Sequence, residues 1–248
     1  ALAHVNRRAL DHDQAWAVNA EGAKHMVEAA VEAGGQRFVF ISSVMVYGEF
    51  DLPVLVTEEH SRRAADIYGS SKIKGEDACL ELSTEIDITV LRMATMYSPN
   101  WLFNVRKRVA LPLVGRYCYL TLDPKTQRYS LCSLRNGVEA VVWAVTDRLP
   151  ENVYNVADTE GYCQEDIILA VERIDGKRLR LPLPKLIPKL ADQLVRVSVS
   201  NSSWGLKLRR QYWAFCEHNM CSTAKLKDHG LLLPQHLLTI GDNTEECG

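Results

Sequence analysis

The sequence predicts an α/β fold: a doubly wound parallel sheet with a smaller C-terminal lobe. Three observations carry this expectation. Helix-like and strand-like segments alternate over residues 12–93, the rhythm of parallel strands joined by crossover helices. The runs RFVFISS (37–43) and IDITVLRM (86–93) are short, apolar and rich in β-formers, as buried strands are. A chain of 248 residues is long enough for one sizeable core, or for a domain carrying a smaller lobe.

Each element follows from its own pattern. In 12–34, Trp16, Ala20, Ala23, Val27, Ala30 and Val31 recur at helical spacing, and Gly34-Gly35 supplies the stop. The strand 37–43 comes next. Residues 48–66 are polar and irregular and read as a surface loop. A second helix spans 68–85, and a second strand 86–93. After Tyr97-Ser98-Pro99 the pattern loosens. A helix is expected over 100–112, short strands and turns over 115–134, a helix over 136–147 and a strand over 152–158. Beyond these come 164–174, a proline-punctuated segment at 182–190, and helices near 188–198 and 204–219. There is no internal repeat and no low-complexity segment.

Composition narrows the function classes. Hydrophobic residues make up 47 % and charged residues 24 % of the chain, with a formal net charge of −2. That balance gives no reason to expect nucleic acid or a membrane surface as partner. The basic stretches VRKRV (105–109) and LKLRR (206–210) read as solvated helix faces, with contact to a substrate phosphate as the sharper alternative. Seven cysteines, an odd count with no Cys-x-x-Cys pair, fit a reducing cytoplasm better than a disulfide framework. Cys216, His218 and Cys221 lie close together, but no second matching pair exists, so no metal site is expected. No segment reads as a signal peptide or a long apolar span.

The chemistry concentrates in DIYGSSKIKGEDA. Tyr68 and Lys72 stand four residues apart, which on a helix puts phenol and ammonium on one face, one turn apart. Ser43 closes the preceding strand. A phenol is a poor base at neutral pH, its ordinary pKa being about 10. An ammonium at about 4 Å, in an effective dielectric near 20, contributes on the order of 4 kcal/mol toward phenolate before desolvation is subtracted. A hydroxyl, a phenol and an ammonium brought together suit hydride transfer to or from an alcohol or ketone. Taken alone, Tyr68 and Lys72 would equally suit an amphipathic surface pair, and Ser42-Ser43 a strand end.

Several motifs together resemble the extended short-chain dehydrogenase/reductase family, in its NAD-dependent epimerase/dehydratase branch. They are Asn19-Ala20-Glu21-Gly22, FVFISSVMVYG, Tyr68-Gly69-Ser70-Ser71-Lys72, LRMATMYSP, Arg128 ahead of SLCSL, YNVAD, and the closing STAKLKDHGLLLP (222–234). Their order and spacing are the family's. The resemblance implies a Rossmann-like sheet and NAD or NADP as cofactor. It divides the chain into 1–99 with 128–158 as the rest of the dinucleotide-binding domain, and 100–127 with 159–248 as a substrate lobe. None of the fourteen glycines forms the family's G-x-x-G-x-x-G turn, and ALAHV resembles the end of its fourth strand. The first βαβ units are therefore expected to be missing, and the chain to be the C-terminal two-thirds of such an enzyme.

The resemblance also implies roles. Tyr68 would be the acid/base, and Lys72 would assist it and hold the nicotinamide ribose. Ser43 would bind the reacting oxygen, with Ser42 the adjacent candidate at the cofactor. Asn19 would support the lysine region, and Arg128 would contact a nucleotide-sugar phosphate, which suits a guanidinium fork. Arg92, ending a buried strand, reads as structural. Sugar-nucleotide dehydratases of the family carry Thr-Asp-Glu before Val-Tyr-Gly; here the run is Ser43-Val44-Met45-Val46-Tyr47-Gly48, so dehydration is not expected. Arg135 stands where the family has an aspartate that caps the next helix, and Asn136 is the alternative cap. The expected activity is epimerisation or reduction of a nucleotide sugar by a cytoplasmic homodimer. The alternatives are a steroid- or flavonoid-type alcohol/ketone oxidoreductase and a non-catalytic binding protein that kept the fold.

Overall fold

Helix α1 (His12–Trp16) passes through a π-helical turn, Ala17–Glu21, into α2 (Gly22–Glu32). In this computed structural model the described residues are 12–48, 55–113, 116–121, 128–147, 152–182 and 220–240. The single helix expected over 12–34 is thus interrupted, and the widened turn brings the Asn19 backbone against the neighbouring helix. Gly34, at φ 69°, ends α2, a backbone setting that glycine takes at no steric cost. Strand β1 (Arg37–Ser43) follows and closes in a 3₁₀ turn, Val44–Tyr47, whose first free amide, Met45 N, donates to Ser43 Oγ at 3.3 Å. The polar loop contains a short strand, β2 (Leu55–Val56). Helix α3 (Ile67–Leu80) starts at an Asp66 cap that accepts from Gly69 N at 2.8 Å. It stops five residues short of the expected 85, where turns lead into β3 (Asp87–Met93) and then β4 (Thr95–Tyr97).

The stretch expected as a helix over 100–112 holds only one turn, α4 (Phe103–Arg106), and then extends into β5 (Ala110–Leu113). Pro112 explains the change, because it lacks the amide a helix interior needs. β5 pairs antiparallel with β6 (Arg116–Thr121). Next come β7 (Arg128–Tyr129), β8 (Leu131–Ser133) and α5 (Leu134–Thr146). Ser133, not Asn136, caps α5: its Oγ accepts from Asn136 N at 3.0 Å. The chain continues through β9 (Val153–Val156), β10 (Tyr162–Cys163), α6 (Gln164–Asp175), β11 (Arg180–Pro182), β12 (Met220–Cys221), α7 (Ala224–Asp228) and a 3₁₀ turn, Leu237–Thr239. The proline-punctuated segment and the helices expected near 188–198 and 204–219 lie outside the described residues, as do ALAHV and the second basic stretch.

β1, β3 and β9 form one parallel sheet in the order β1-β3-β9. Alternation along the strands sends neighbouring side chains to opposite faces. On one face Phe38, Phe40, Ile88 and Val90 pack with Ala23 and Val27 of α2 and Cys79 of α3. On the other, Val39, Ile41 and Leu91 pack with Ala140 and Ala144 of α5. Helices therefore cover both faces, which is the doubly wound arrangement expected. A separate cluster joins Tyr97, Leu102, Val105, Tyr119, Tyr129, Tyr162 and Ile167 around β6, β7, β10 and α6. Cys221, Leu226, Leu231 and Leu233 pack with the sheet's α5 face.

Packing is tight where α3 crosses the π turn. A Cβ added to Gly75 would lie 2.4 Å from Asn19 O and 2.6 Å from Phe40 Cζ. Backbone on one side leaves little room to relax. Gly75→Ala is expected to cost at least about 1 kcal/mol, the clash outweighing the gain of roughly 1 kcal/mol in helix propensity; a urea unfolding midpoint reads it.

The stretch 105–109 departs from the solvated face expected of it. Arg106 forms a bidentate pair with Asp175, both bonds at 2.6 Å. Arg108 is buried, with its guanidinium 5.1 Å from the centre of the Tyr129 ring.

Candidate active site

The site grows from the inward face of α3. Lys72 is 6 % exposed, and its Nζ donates to the Ile41 carbonyl at 2.9 Å while lying 5.0 Å from the centre of the Phe40 ring. The sequence places it there because the helix puts residue 72 on the face that covers β1. Burial pulls the Lys72 amine down to about 8, and the negative charge of Glu76 opposes that fall. Tyr68, half-buried, stands one turn earlier on the same helix. The first turn of α3 closes on the turn after β1: a Cβ on Gly69 would lie 2.5 Å from Met45 O. Ser43 starts that turn, 9 % exposed. The fold thus seats the first turns of α3, which carry Tyr68 and Lys72, against the carboxyl end of β1 and the turn that Ser43 begins.

Ser42 and Ser43 part company, as alternation requires. Ser42 points to the α3 face and donates to Glu76 Oε1 at 2.5 Å. Its register partner Arg92 reaches the same carboxylate, with Nε–Oε1 at 3.0 Å and Nη2–Oε2 at 2.7 Å. Arg92 also donates to the Tyr47 hydroxyl at 2.8 Å, and Tyr47 donates to Asn155 Oδ1 at 2.7 Å. From the surface, Arg62 pairs with Glu76 at 3.1 Å and with Asp77 at 2.7 Å. Burial raises the Tyr47 phenol to about 12, against the pull of Arg92. Glu76, Tyr47 and Asn155 have no place among the residues singled out from sequence. The signal available was Glu76 itself, four residues after Lys72 and so on the same face. Arg92, in a strand too apolar for a lone charge, equally called for a buried partner.

Asn19 is 2 % exposed, and its Nδ2 donates to Ser71 Oγ at 3.1 Å. Ser71 passes the bond on to the Tyr68 carbonyl at 2.8 Å. Asn19 therefore braces α3 between Tyr68 and Lys72, while its own Oδ1 is buried without a hydrogen-bond partner. Arg128 lies apart, exposed on β7, where it donates to Gly161 O at 2.8 Å. An open groove lined by Trp16, Ala64, Ala65, Asp66, Ile67 and Ser70 sits beside the start of α3.

Among the described residues, no group of three or more His, Cys, Asp or Glu side chains could hold a metal ion. Among the same residues, no helix is long and apolar enough to cross a membrane. A dinucleotide fits the donor set at Lys72. An ammonium has three N–H donors; Ile41 O takes one, and the others suit ribose hydroxyls. The position also fits, because open parallel sheets bind ligands beyond the carboxyl ends of their strands.

The UDP-glucose 4-epimerase of Vibrio cholerae is 28 % identical over 186 residues, covering 71 % of this chain and 55 % of that protein. The chain spans about half the length of this curated relative. Among solved structures, an Agrobacterium tumefaciens short-chain dehydrogenase/reductase superfamily protein with bound NAD superposes with a TM-score of 0.70 at 16 % identity, over 98 % of this chain and 76 % of that one. The UDP-glucuronic acid 4-epimerase of Bacillus cereus, in complex with NAD, gives a TM-score of 0.55 at 23 % identity, over 74 % of this chain and 60 % of that one. These likenesses show the fold. The sequence itself matches the NAD dependent epimerase/dehydratase family over residues 1–157, and with the Tyr68–Lys72 helix seated on the end of β1 the chain belongs to that family.

Proposed function

We propose that the protein is an NAD(P)-dependent epimerase or reductase of a nucleotide sugar, working as a cytoplasmic homodimer paired through α2 and α3. The observation that carries this reading is the buried Lys72 amine at the end of β1, one turn from Tyr68. Relatives that act on UDP-sugars support the substrate class.

When bound, the dinucleotide supplies the acceptor and donor of hydride. Tyr68 takes the proton of the sugar hydroxyl in one direction and returns it to the carbonyl oxygen in the other. Lys72 favours the phenolate through its positive charge and offers its N–H groups to the ribose. Ser43 donates to the oxygen on which charge develops. Arg128 holds a diphosphate oxygen through its planar fork. Asn19 keeps α3 in place behind the pair. No carboxylate stands beside Ser43 in the turn Val44–Tyr47, so elimination has no acid/base there.

The test uses the full natural polypeptide. NAD binding is measured by calorimetry, and turnover is measured with a panel of UDP-sugars and apolar ketones. Turnover of a UDP-sugar is expected, and Lys72→Met is expected to weaken NAD binding at least about tenfold, the loss of a charge-assisted hydrogen bond. Turnover of the ketones alone, or NAD affinity unchanged in Lys72→Met, overturns the reading.

A further inference from the structure

Ser43 stands at the head of the 3₁₀ turn Val44–Tyr47, and its own hold on that turn is slight: its Oγ accepts from Met45 N at a long 3.3 Å. Val44 and Val46 are buried, but apolar burial is non-directional and does not fix a hydroxyl in place. The directional contacts sit at the far end of the turn. The Tyr47 side chain is 2 % exposed, and its hydroxyl accepts from Arg92 Nη1 at 2.8 Å and donates to Asn155 Oδ1 at 2.7 Å.

We propose that Tyr47 is a positioning residue for Ser43: its phenol pins the turn to β3 and β9 and so fixes where the Ser43 hydroxyl stands beside the first turn of α3. The inference rests on the reading of Ser43 as the group that binds the reacting oxygen. Tyr47 acts through the backbone of the turn and through no contact of its own with substrate.

The two groups that hold the phenol are themselves held. Arg92 and Asn155 are register partners on β3 and β9, and Arg92 is also the partner of Ser42 on β1, so the hydroxyl closes on a row that crosses the sheet. Arg92 is fixed by its bidentate pair with Glu76, and its guanidinium lies 4.9 Å from the centre of the Tyr47 ring. The Asn155 amide donates to Glu58 Oε1 at 2.7 Å, and its Nδ2 donates to Val56 O at 3.4 Å. Burial raises the phenol to about 12, so near neutrality it keeps the proton it gives to Asn155. On its other side the turn abuts α3, where a Cβ on Gly69 would lie 2.5 Å from Met45 O. A shift of the turn therefore moves Ser43 relative to the helix that carries Tyr68. Phenylalanine at 47 keeps the ring and its burial and deletes both hydrogen bonds, which separates filling the space from fixing the position.

The experiment has two arms, both on the full natural polypeptide. The first is amide hydrogen exchange without cofactor or substrate. The Met45 amide, bonded to Ser43 Oγ, and the Gly48 amide, bonded to Met45 O at 3.3 Å, report the turn; the Val90 amide, bonded to Asn152 O at 2.7 Å, reports the sheet. In Tyr47→Phe the two turn amides should exchange at least about tenfold faster while Val90 holds its rate, the mark of a local opening. Asn155→Ala deletes the acceptor and leaves the phenol, and it should show the same selective loss if Tyr47→Phe does not fold. The second arm is a double-mutant cycle with Ser43→Ala, read by sugar turnover. Tyr47→Phe should lower kcat at least about tenfold with NAD affinity retained, and should change it less than about twofold once Ser43 is alanine, because the residue it positions is then gone. Turn amides unchanged in the folded variant, or an equal loss of kcat in both backgrounds, overturns the inference. Absence of sugar turnover in the wild type overturns the activity reading instead, and the exchange rates still decide whether the phenol holds the turn.

Discussion

Arg92→Met will destabilise the fold by about 3–5 kcal/mol, the cost of leaving a buried carboxylate without its main counter-charge. Arg92 is 4 % exposed and Glu76 is fully enclosed. The two share a bidentate pair, so methionine fills the volume and removes the charge together. Arg62 remains within reach of Glu76, but its side chain is 29 % exposed, and solvent screens it. The Tyr47 hydroxyl also loses its donor. The double variant Arg92→Met with Glu76→Met should recover part of the loss, because neither charge is then stranded. Urea unfolding of the three proteins measures this, with the midpoint separating stability from changes in exposed surface. A single-variant loss under about 1 kcal/mol would mean that water reaches Glu76.

The parts of this fold governed by local pattern were legible in the sequence. β1 and β3 read directly from RFVFISS and IDITVLRM, because strands covered on both faces leave nearly continuous apolar runs. α3 read from its spacing. What stayed hidden depends on tertiary contact. The π turn at Asn19 forms where α3 comes close at Gly75, and no periodicity in 12–34 announces it. The two-residue ladders β2–β12 and β10–β7 are too short to leave a pattern and exist only because distant segments meet. The stretch 100–112 reads as helix from sequence, yet it extends into β5 around Pro112, which has no amide to donate. At the candidate site, Tyr68, Lys72 and Ser43 stand out from spacing and resemblance. The opposite directions taken by Ser42 and Ser43 followed from strand alternation. The carboxylate behind them did not, since a glutamate on an amphipathic helix ordinarily faces water. Arg128, matched by motif, sits on β7 and donates to Gly161 O.

Tyr68→Phe will lower kcat/KM for the nucleotide sugar by about 10²–10⁴-fold, the range a positioned acid/base contributes. In the proposed reaction the phenol moves the proton, and phenylalanine keeps the ring while deleting the atom that would do so. Lys72 and its hydrogen bond to Ile41 O are untouched, so NAD affinity should hold. The loss should fall on kcat, because the deleted contact strengthens only as the proton moves. In the proposed reaction Ser43 still binds the oxygen, which accounts for a residual rate. The decisive measurement is therefore UDP-sugar turnover and NAD binding by wild-type and Tyr68→Phe proteins, each in its full natural length and side by side. A fall of at least about a hundredfold in kcat with NAD binding retained is the predicted result. Equal turnover by the two proteins would contradict it and remove the phenol from the reaction.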